Sequence, residues 1–410
     1  MSLFKSIGTL TLGNVISQGI MFLGIIFLSR VYSPEEFGVY AVVFGAVTVM
    51  SAVSSFRYEM TILLPRQKKT SQLALQFALL TTFTISFLGL LIVSALIVSG
   101  LLGLYWLVVP IAAFMSSIIN VGSFLQNRNK DYKRIVGVQI SRSLLFVVLA
   151  LIFSWFSDVN NGLVTAMLIS LSLTALFLLV VDFRIENAFK RIFSNQKFIF
   201  WAKRNSKFFY YSTPAVFVSS LASQAPIFLL SILMGPGLAG YYSMVQRVVM
   251  APVMLVSSAV NNVYMQSVTA RLASGKKIHF FTRSLIKKFI FPSLILSILM
   301  LLFFHFQALE KLFGEQWKGI DILAMVMIPA FLVGFVGKSI SGFAVLRRNE
   351  LGLIYQIVLL GSVSLAVILS STLLKDEIFI FMSISLALSI CFLGQAISIL
   401  RISKKIDESK

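Results

Sequence analysis

Four cations and one carboxylate fall inside stretches of sequence that are otherwise apolar: Arg57, Arg142, Arg247, Lys338 and Glu59. A charge held in hydrocarbon is costly, so an ionisable residue within an apolar span is a functional candidate by default. The excess of cations is the informative part. Pairing inside the chain cannot neutralise all four, whereas an anionic ligand supplies the missing countercharge. Pyrophosphate fits, because arginine offers phosphate oxygens a planar fork and lysine a point charge. The competing account is that these long side chains snorkel to the interface or bond to a neighbouring helix. Glu59 also has two readings, carriage of a coupling proton or sodium ion, or a salt bridge to a cation from another helix. Arg57 is an unfavourable partner for it, because residues two apart on a helix point in different directions.

A second set of polar residues is spaced by three, four or seven, which places them on one helical face. Thr11, Asn14 and Gln18 form one such stripe, and Thr213, Ser220 and Gln224 another. With Asn261 they are candidates for lining a polar lumen. Other chemistries are poorly provided for. Cys391 is the only cysteine, which rules out an internal disulfide and a cysteine-based metal site. No Gly-x4-Gly-Lys-Ser/Thr phosphate loop is present, and no metal or cofactor is expected. A membrane-embedded enzyme needs catalytic groups near a sizeable loop or at a buried acid or histidine. The acids in the predicted outer loops are few (Asp158, Glu310, Glu315, Asp376, Glu377), and His279 sits in a basic loop without a partner.

The elements that must position these residues are membrane spans. Of the 410 residues 58% are hydrophobic and 12% charged, and the mean hydropathy is +0.92. A soluble domain carries roughly twice that charge. About twelve helices are predicted, near 7–29, 38–64, 73–99, 104–126, 135–156, 163–181, 209–234, 241–269, 289–308, 320–346, 351–374 and 378–400. They lack the alternation of barrel strands. The net charge of +20 is not read as nucleic-acid binding, because the cations concentrate in alternate short loops, the positive-inside pattern. Both termini are therefore placed in the cytoplasm. From the loop ends, Arg142 and Lys338 lie ~10 and ~13 Å inside the cytoplasmic edge, and Arg247 ~10 Å inside the outer one.

Three domains are expected: an N-terminal lobe over 1–181, a basic linker over 182–208 and a C-terminal lobe over 209–410 with a short basic tail. The linker mixes seven cations with aromatic residues, which suits an amphipathic segment on anionic membrane lipids as well as a solvated connection. The lobes read as a duplication. At a constant offset of 202, Pro34 meets Pro236, Gly38 meets Gly240 and Tyr40 meets Tyr242. Six helices per half give both halves the same orientation, a parallel transporter repeat with the substrate path between lobes. Tyr32, Tyr40, Tyr105, Trp106, Trp155, Tyr241, Tyr242 and Trp317 are expected as an interfacial aromatic belt. Pro214 and Pro226 make the seventh helix the candidate for bending.

Three ordered segments carry a family resemblance. They are Tyr32-Ser-Pro-Glu-Glu-Phe-Gly-Val-Tyr40 with Arg57-Tyr-Glu59; Gly235-Pro-Gly-Leu-Ala-Gly-Tyr-Tyr242 with Gln246-Arg247; and Leu312-Phe-Gly-Glu-Gln-Trp317. Together the chain resembles the polysaccharide-biosynthesis (Wzx-type O-antigen) flippases of the MOP transporter superfamily. The resemblance implies an alternating-access carrier in the bacterial inner membrane, with Arg142, Arg247 and Lys338 as cations of its central cavity. Its cargo would be undecaprenyl-pyrophosphate-linked oligosaccharide. Its expected partners are that lipid-linked oligosaccharide and, downstream, polysaccharide polymerase and chain-length machinery, with no nucleic acid. A drug or small-solute exporter of the same superfamily is the alternative, although the first helix lacks the acid those exporters carry. A glycan-modifying membrane enzyme is a more distant one.

Overall fold

The computed structural model describes residues 3–64, 68–156, 161–181, 203–206, 208–343, 346 and 348–408. Among them there is no strand. In chain order the helices are α1 (Leu3–Leu28), α2 (Pro34–Ser54), α3 (Lys68–Val98), α4 (Val108–Arg128), α5 (Tyr132–Phe153), α6 (Gly162–Val181), α7 (Thr213–Met234), α8 (Pro236–Val245), α9 (Ala251–Ala273), α10 (His279–His305), α11 (Ala308–Phe313), α12 (Ile320–Val326), α13 (Ile328–Ser339), α14 (Asn349–Leu373) and α15 (Glu377–Glu408). Among the described residues ten helices are long and apolar enough to cross a membrane, and α12 with α13, bent by 45°, makes an eleventh. Where the eighth span was expected, α8 and α9 are joined by a π turn at Gln246–Met250.

Two compact units result, Met1–Tyr32 with Tyr40–Ser220, and Ser33–Val39 with Leu221–Lys410. The boundary falls within α7. The expected linker over 182–208 lies outside the described residues except for 203–206 and 208.

In the first unit α1 lies along α5. A Cβ on Gly13 would collide with Val136, and one on Gly24 with Val147. Both steps are eleven residues (24 − 13 and 147 − 136), so the helices run parallel, as first and fifth crossings must. α6 packs on α4 and α5, and α3 on α4. Local capping starts these helices: Asp131 accepts the Arg134 amide at the head of α5, and Asn161 the Val164 amide at the head of α6.

In the second unit α13 is central and packs on α9, α10 and α15. Ser257 donates to the Phe335 carbonyl, and a Cβ on Gly342 would press on Tyr264. Both contacts have an offset of 78 (335 − 257 and 342 − 264), so α9 runs parallel to and in register with α13. The first turn of α2 also belongs to this unit. It opens with a capping box, Ser33 and Glu36 exchanging side-chain-to-amide hydrogen bonds at 2.8 and 3.3 Å, with Pro34 at the first helical position. There two turns related by the offset of 202 meet: a Cβ on Gly38 would strike the Pro236 carbonyl, and one on Gly240 the Pro34 carbonyl. The matching turns thus meet reciprocally at backbone contact.

Several expected boundaries are corrected. The second helix does not run unbroken over 38–64. α2 stops at Ser54, Phe56 and Arg57 adopt left-handed φ values of 48° and 60°, and a 3-10 segment follows at Tyr58–Leu63. The tenth helix is split at Met327, just before Pro329. The π turns at Phe208–Ser212 and Gln246–Met250 each end two residues before a proline, Pro214 and Pro252. A proline has no amide for the carbonyl four residues back, and a widened turn accommodates that loss.

The ninth helix begins at His279, ten residues before the expected 289. Its free amides explain why, since Asp407 accepts from Ile278 at 2.9 Å and His279 at 2.8 Å. The basic tail is accordingly the last turns of α15. Asp407→Ala removes the acceptor from the Ile278 and His279 amides at the start of α10. It is expected to cost about 1–2 kcal/mol and to lower the thermal midpoint in detergent, while Asp407→Asn retains part of the effect.

The aromatic belt is also corrected in part. Trp317, Tyr242, Tyr32 and Tyr40 are buried in the protein, whereas Trp155 is exposed. Trp317 packs edge-on against Phe37 and Tyr241, and the Tyr32 hydroxyl donates to the Ala150 carbonyl at 2.7 Å.

Candidate functional site

The broken end of α2 decides the fate of Glu59. With Arg57 in a left-handed conformation, the two side chains turn towards each other, and Arg57 Nη1 lies 3.2 Å from Glu59 Oε1. Ser55 donates to the same carboxylate. The other Arg57 nitrogen reaches the Met60 sulfur at 3.3 Å. The expectation that Arg57 is a poor partner assumed a continuous helix, and it fails because the helix is not continuous. Glu59 is buried and held by two donors, so ion carriage through it would first require release of Arg57. Arg128 donates to the Ile62 carbonyl at 2.8 Å and Ser71 to the same oxygen at 3.2 Å. These bonds tie the 3-10 segment to α3 and α4.

Arg142 differs. It is half-buried on α5, and among the described residues no carboxylate or hydrogen-bond partner meets it. Its electrostatic neighbour is the Tyr40 phenol, and Tyr40 stacks on Phe146, one turn further along α5, at 5.5 Å. Gln139, three residues before Arg142, has a buried Oε1 with no donor. Residues three apart share a helix face, so this face of α5 presents a cation, an open carbonyl acceptor and an aromatic ring. Asn14 and Gln18 on α1 are exposed.

The second unit repeats this chemistry with other residues. Lys338 is half-buried on α13, and its ammonium stands 5.1 Å from the centre of the Phe392 ring on α15. No carboxylate pairs with it among the described residues. The α9–α13 register places Asn261 level with Ser339 (261 + 78), one residue from Lys338. Asn261 Oδ1 is buried with no donor. In hydrocarbon an unsatisfied polar atom costs several kcal/mol, which marks both carbonyl acceptors as positions for water or ligand. Gln395, three residues after Phe392, donates to Ser341 at 2.9 Å.

Arg247 occupies the π turn, a distortion frequent at functional sites. It lies fourteen residues before Asn261 (261 − 247), roughly 21 Å along the helix. The second unit therefore holds cations at two depths. Ser220 and Gln224 are half-buried on α7, and the Gln224 amide nitrogen lies 3.4 Å from the Ser223 hydroxyl.

Sequence reasoning found the cations but missed Gln139, Tyr40 and Phe392 as their companions. Gln139 had a readable signal in its spacing from Arg142; Phe392 had none. A further buried carboxylate, Asp321, was also missed. It accepts the Leu309 and Glu310 amides at 3.0 and 2.9 Å, caps α11 and leaves the cations unmatched. Among the described residues no cluster of three metal-ligating side chains occurs.

A sequence model of the family described as "Polysaccharide biosynthesis protein" matches residues 27–321. No curated protein sequence matches the chain. Among solved structures, the lipid II flippase MurJ in an inward closed conformation superposes with a TM-score of 0.72 at 11% identity, covering 97% of this chain and 89% of that one. An inward-facing multidrug resistance MATE family transporter of the MOP superfamily gives 0.64 at 17% identity, covering 94% and 96%. A MOP superfamily transporter from Pyrococcus furiosus, described as having a binding pocket of reverse polarity, gives 0.60 at 14% identity, covering 97% and 96%. The fold is that of MOP superfamily transporters.

Proposed function

Because the chain belongs to the polysaccharide biosynthesis protein family, we propose that it is a flippase for polyprenyl-pyrophosphate-linked oligosaccharide, working by alternating access. The observation that carries this reading is the repeated constellation of half-buried cation, open carbonyl acceptor and aromatic ring, at Arg142, Gln139 and Tyr40 in one unit and at Lys338, Asn261 and Phe392 in the other. Cations without carboxylates suit a diphosphate. Amide oxygens accept from sugar hydroxyls, and the buried Tyr40 and Phe392 rings brace the cations. Arg247, at a second depth, gives the diphosphate a further station along the same unit.

In this reading both termini lie in the cytoplasm of a bacterium, the protein sits in the inner membrane, and repeat units for O-antigen or capsule move to the periplasmic leaflet for a polymerase to consume. An ion gradient drives the cycle. Glu59, braced by Arg57, serves chiefly to hold the broken helix together. Export of cationic drugs is the weaker alternative, since the half-buried charges have the wrong sign for it.

The test is translocation in proteoliposomes of a fluorescent undecaprenyl-pyrophosphate oligosaccharide, read as protection from an impermeant quencher. Purified protein is expected to raise the rate at least tenfold over empty liposomes. A rate equal to that of empty liposomes, with and without proton and sodium gradients, would overturn the reading.

A further inference from the structure

The flippase reading leaves open how the protein holds a greasy anchor whose head group it must turn over. Within the first unit, α5 and α6 leave a cavity of about 380 Å³ between them, lined by Arg134, Gly137, Ser141, Leu145, Leu173 and Phe177 among others. It is cationic at one end. Arg134 stands at the end nearest the 129–131 turn, beside Arg128, Lys130 and Lys133. From Arg134 to Leu145 is eleven residues, roughly 16 Å of helix, and past Arg134 the lining is uncharged, with Val138 and Thr174 included.

Buried Val138 and Thr174 lie at its base, and small residues leave it open. Gly137 and Ser141 are one turn apart and exposed, and a Cβ on Gly137 would meet nothing within 4 Å. The walls are Leu145 from α5 and Leu173 and Phe177 from α6, the last two 47% and 51% exposed. Leu144, Leu176 and Val180 of the same two helices are also exposed, which is the character of a surface covered by hydrocarbon. Arg142 does not belong to this groove, since its electrostatic neighbour is Tyr40.

We propose that this groove binds the phosphate-proximal part of a polyprenyl phosphate anchor, with the phosphate at Arg134 and the chain laid over Gly137 and Ser141 towards Leu145 and Leu173. The proposal rests on the flippase reading for its choice of lipid. Arg134 complements the charge of a phosphate, and the uncharged remainder of the lining suits an isoprenoid chain. In the lipid-linked oligosaccharide that phosphate is the proximal half of the pyrophosphate, so the groove is a loading site where the pyrophosphate meets Arg134 before the head group moves on to Arg142, eight residues (142 − 134) and roughly 12 Å further along α5.

The test uses the full-length protein in nanodiscs and a short-chain polyprenyl phosphate carrying a photoreactive diazirine in its second isoprene unit. Crosslinked peptides are expected to map to 132–153 and 162–181, with labelling reduced at least tenfold by excess unlabelled polyprenyl phosphate and unaffected by the same amount of phosphatidylglycerol. Gly137→Phe, which fills the floor, and Arg134→Gln should each lower that labelling at least fivefold. Crosslinks confined to other helices would overturn the proposal, as would equal competition by phosphatidylglycerol, which marks an ordinary annular lipid. The mapping in unaltered protein does not depend on any variant folding. If liposome translocation succeeds while Gly137→Phe binds and transports normally, the groove is wrong and the flippase reading stands. If translocation fails while the mapped, competed labelling persists, the reading is wrong and the groove stands.

Discussion

Gly240→Leu is expected to strip the second unit of much of its stability, with the thermal midpoint in detergent falling by roughly 6–12 °C. The reason is local. A Cβ at Gly240 falls on the Pro34 carbonyl, and one at Gly38 falls on the Pro236 carbonyl. Both obstacles are backbone, in turns already fixed by a proline, and in one case by the Ser33–Glu36 capping box. A flexible side chain would rotate away, but these turns must separate. Overpacking a close contact costs about 1–3 kcal/mol, and with rigid backbone on both sides the upper end is expected. Tyr242 and Trp317, buried nearby, would lose packing as well. Gly19→Ala is the control, because a Cβ there meets nothing within 4 Å and should shift the midpoint little. The measurement is fluorescence-detected size exclusion after heating. If Gly240→Leu stays within about 2 °C of the parent protein, the close approach of the turns does not hold the unit together.

Lys338→Ala should lower liposome translocation by about tenfold to a hundredfold at normal membrane abundance. That range corresponds to losing one charge-assisted hydrogen bond of about 1.5–3 kcal/mol to phosphate, at a factor of ten for each 1.4 kcal/mol. Lys338 has no carboxylate among the described residues, so its removal orphans no buried acid. The fold should therefore survive, and the thermal midpoint should hold or rise, since a desolvated charge has been taken away. Lys338→Arg should retain part of the rate, because charge is kept but the geometry over Phe392 changes. Lys338→Met separates packing from charge: a rate close to that of the parent would assign the lysine to snorkelling or to stacking on Phe392 alone, and would remove it from the mechanism.

The spans, their alternating loop charge and the repeat were legible in the chain because each depends on properties read along it. Apolar runs of about twenty residues report membrane crossing wherever they occur. The offset of 202 that pairs Pro34 with Pro236 and Gly38 with Gly240 is likewise a linear signal, and the structure gives it meaning by bringing those turns into reciprocal contact. The intramembrane cations were visible for the same reason, as charge against an apolar background.

Partnership was not legible, and Arg57 shows why. Whether it reaches Glu59 depends on two left-handed residues that interrupt a run of apolar sequence. Hydropathy cannot register a change of backbone direction. Lys338 meeting Phe392, Asn261 standing level with Ser339, and Asp407 capping a helix that begins more than a hundred residues earlier all arise from helices distant in sequence packing side by side. The sequence by itself determined that this chain crosses the membrane many times, with more positive than negative charge inside its spans. Only the tertiary structure decided which of those charges are already neutralised and which still face an open acceptor and an aromatic ring. Pairing is a property of distances in space, and side chains a few ångströms apart there stand scores of residues apart along the chain.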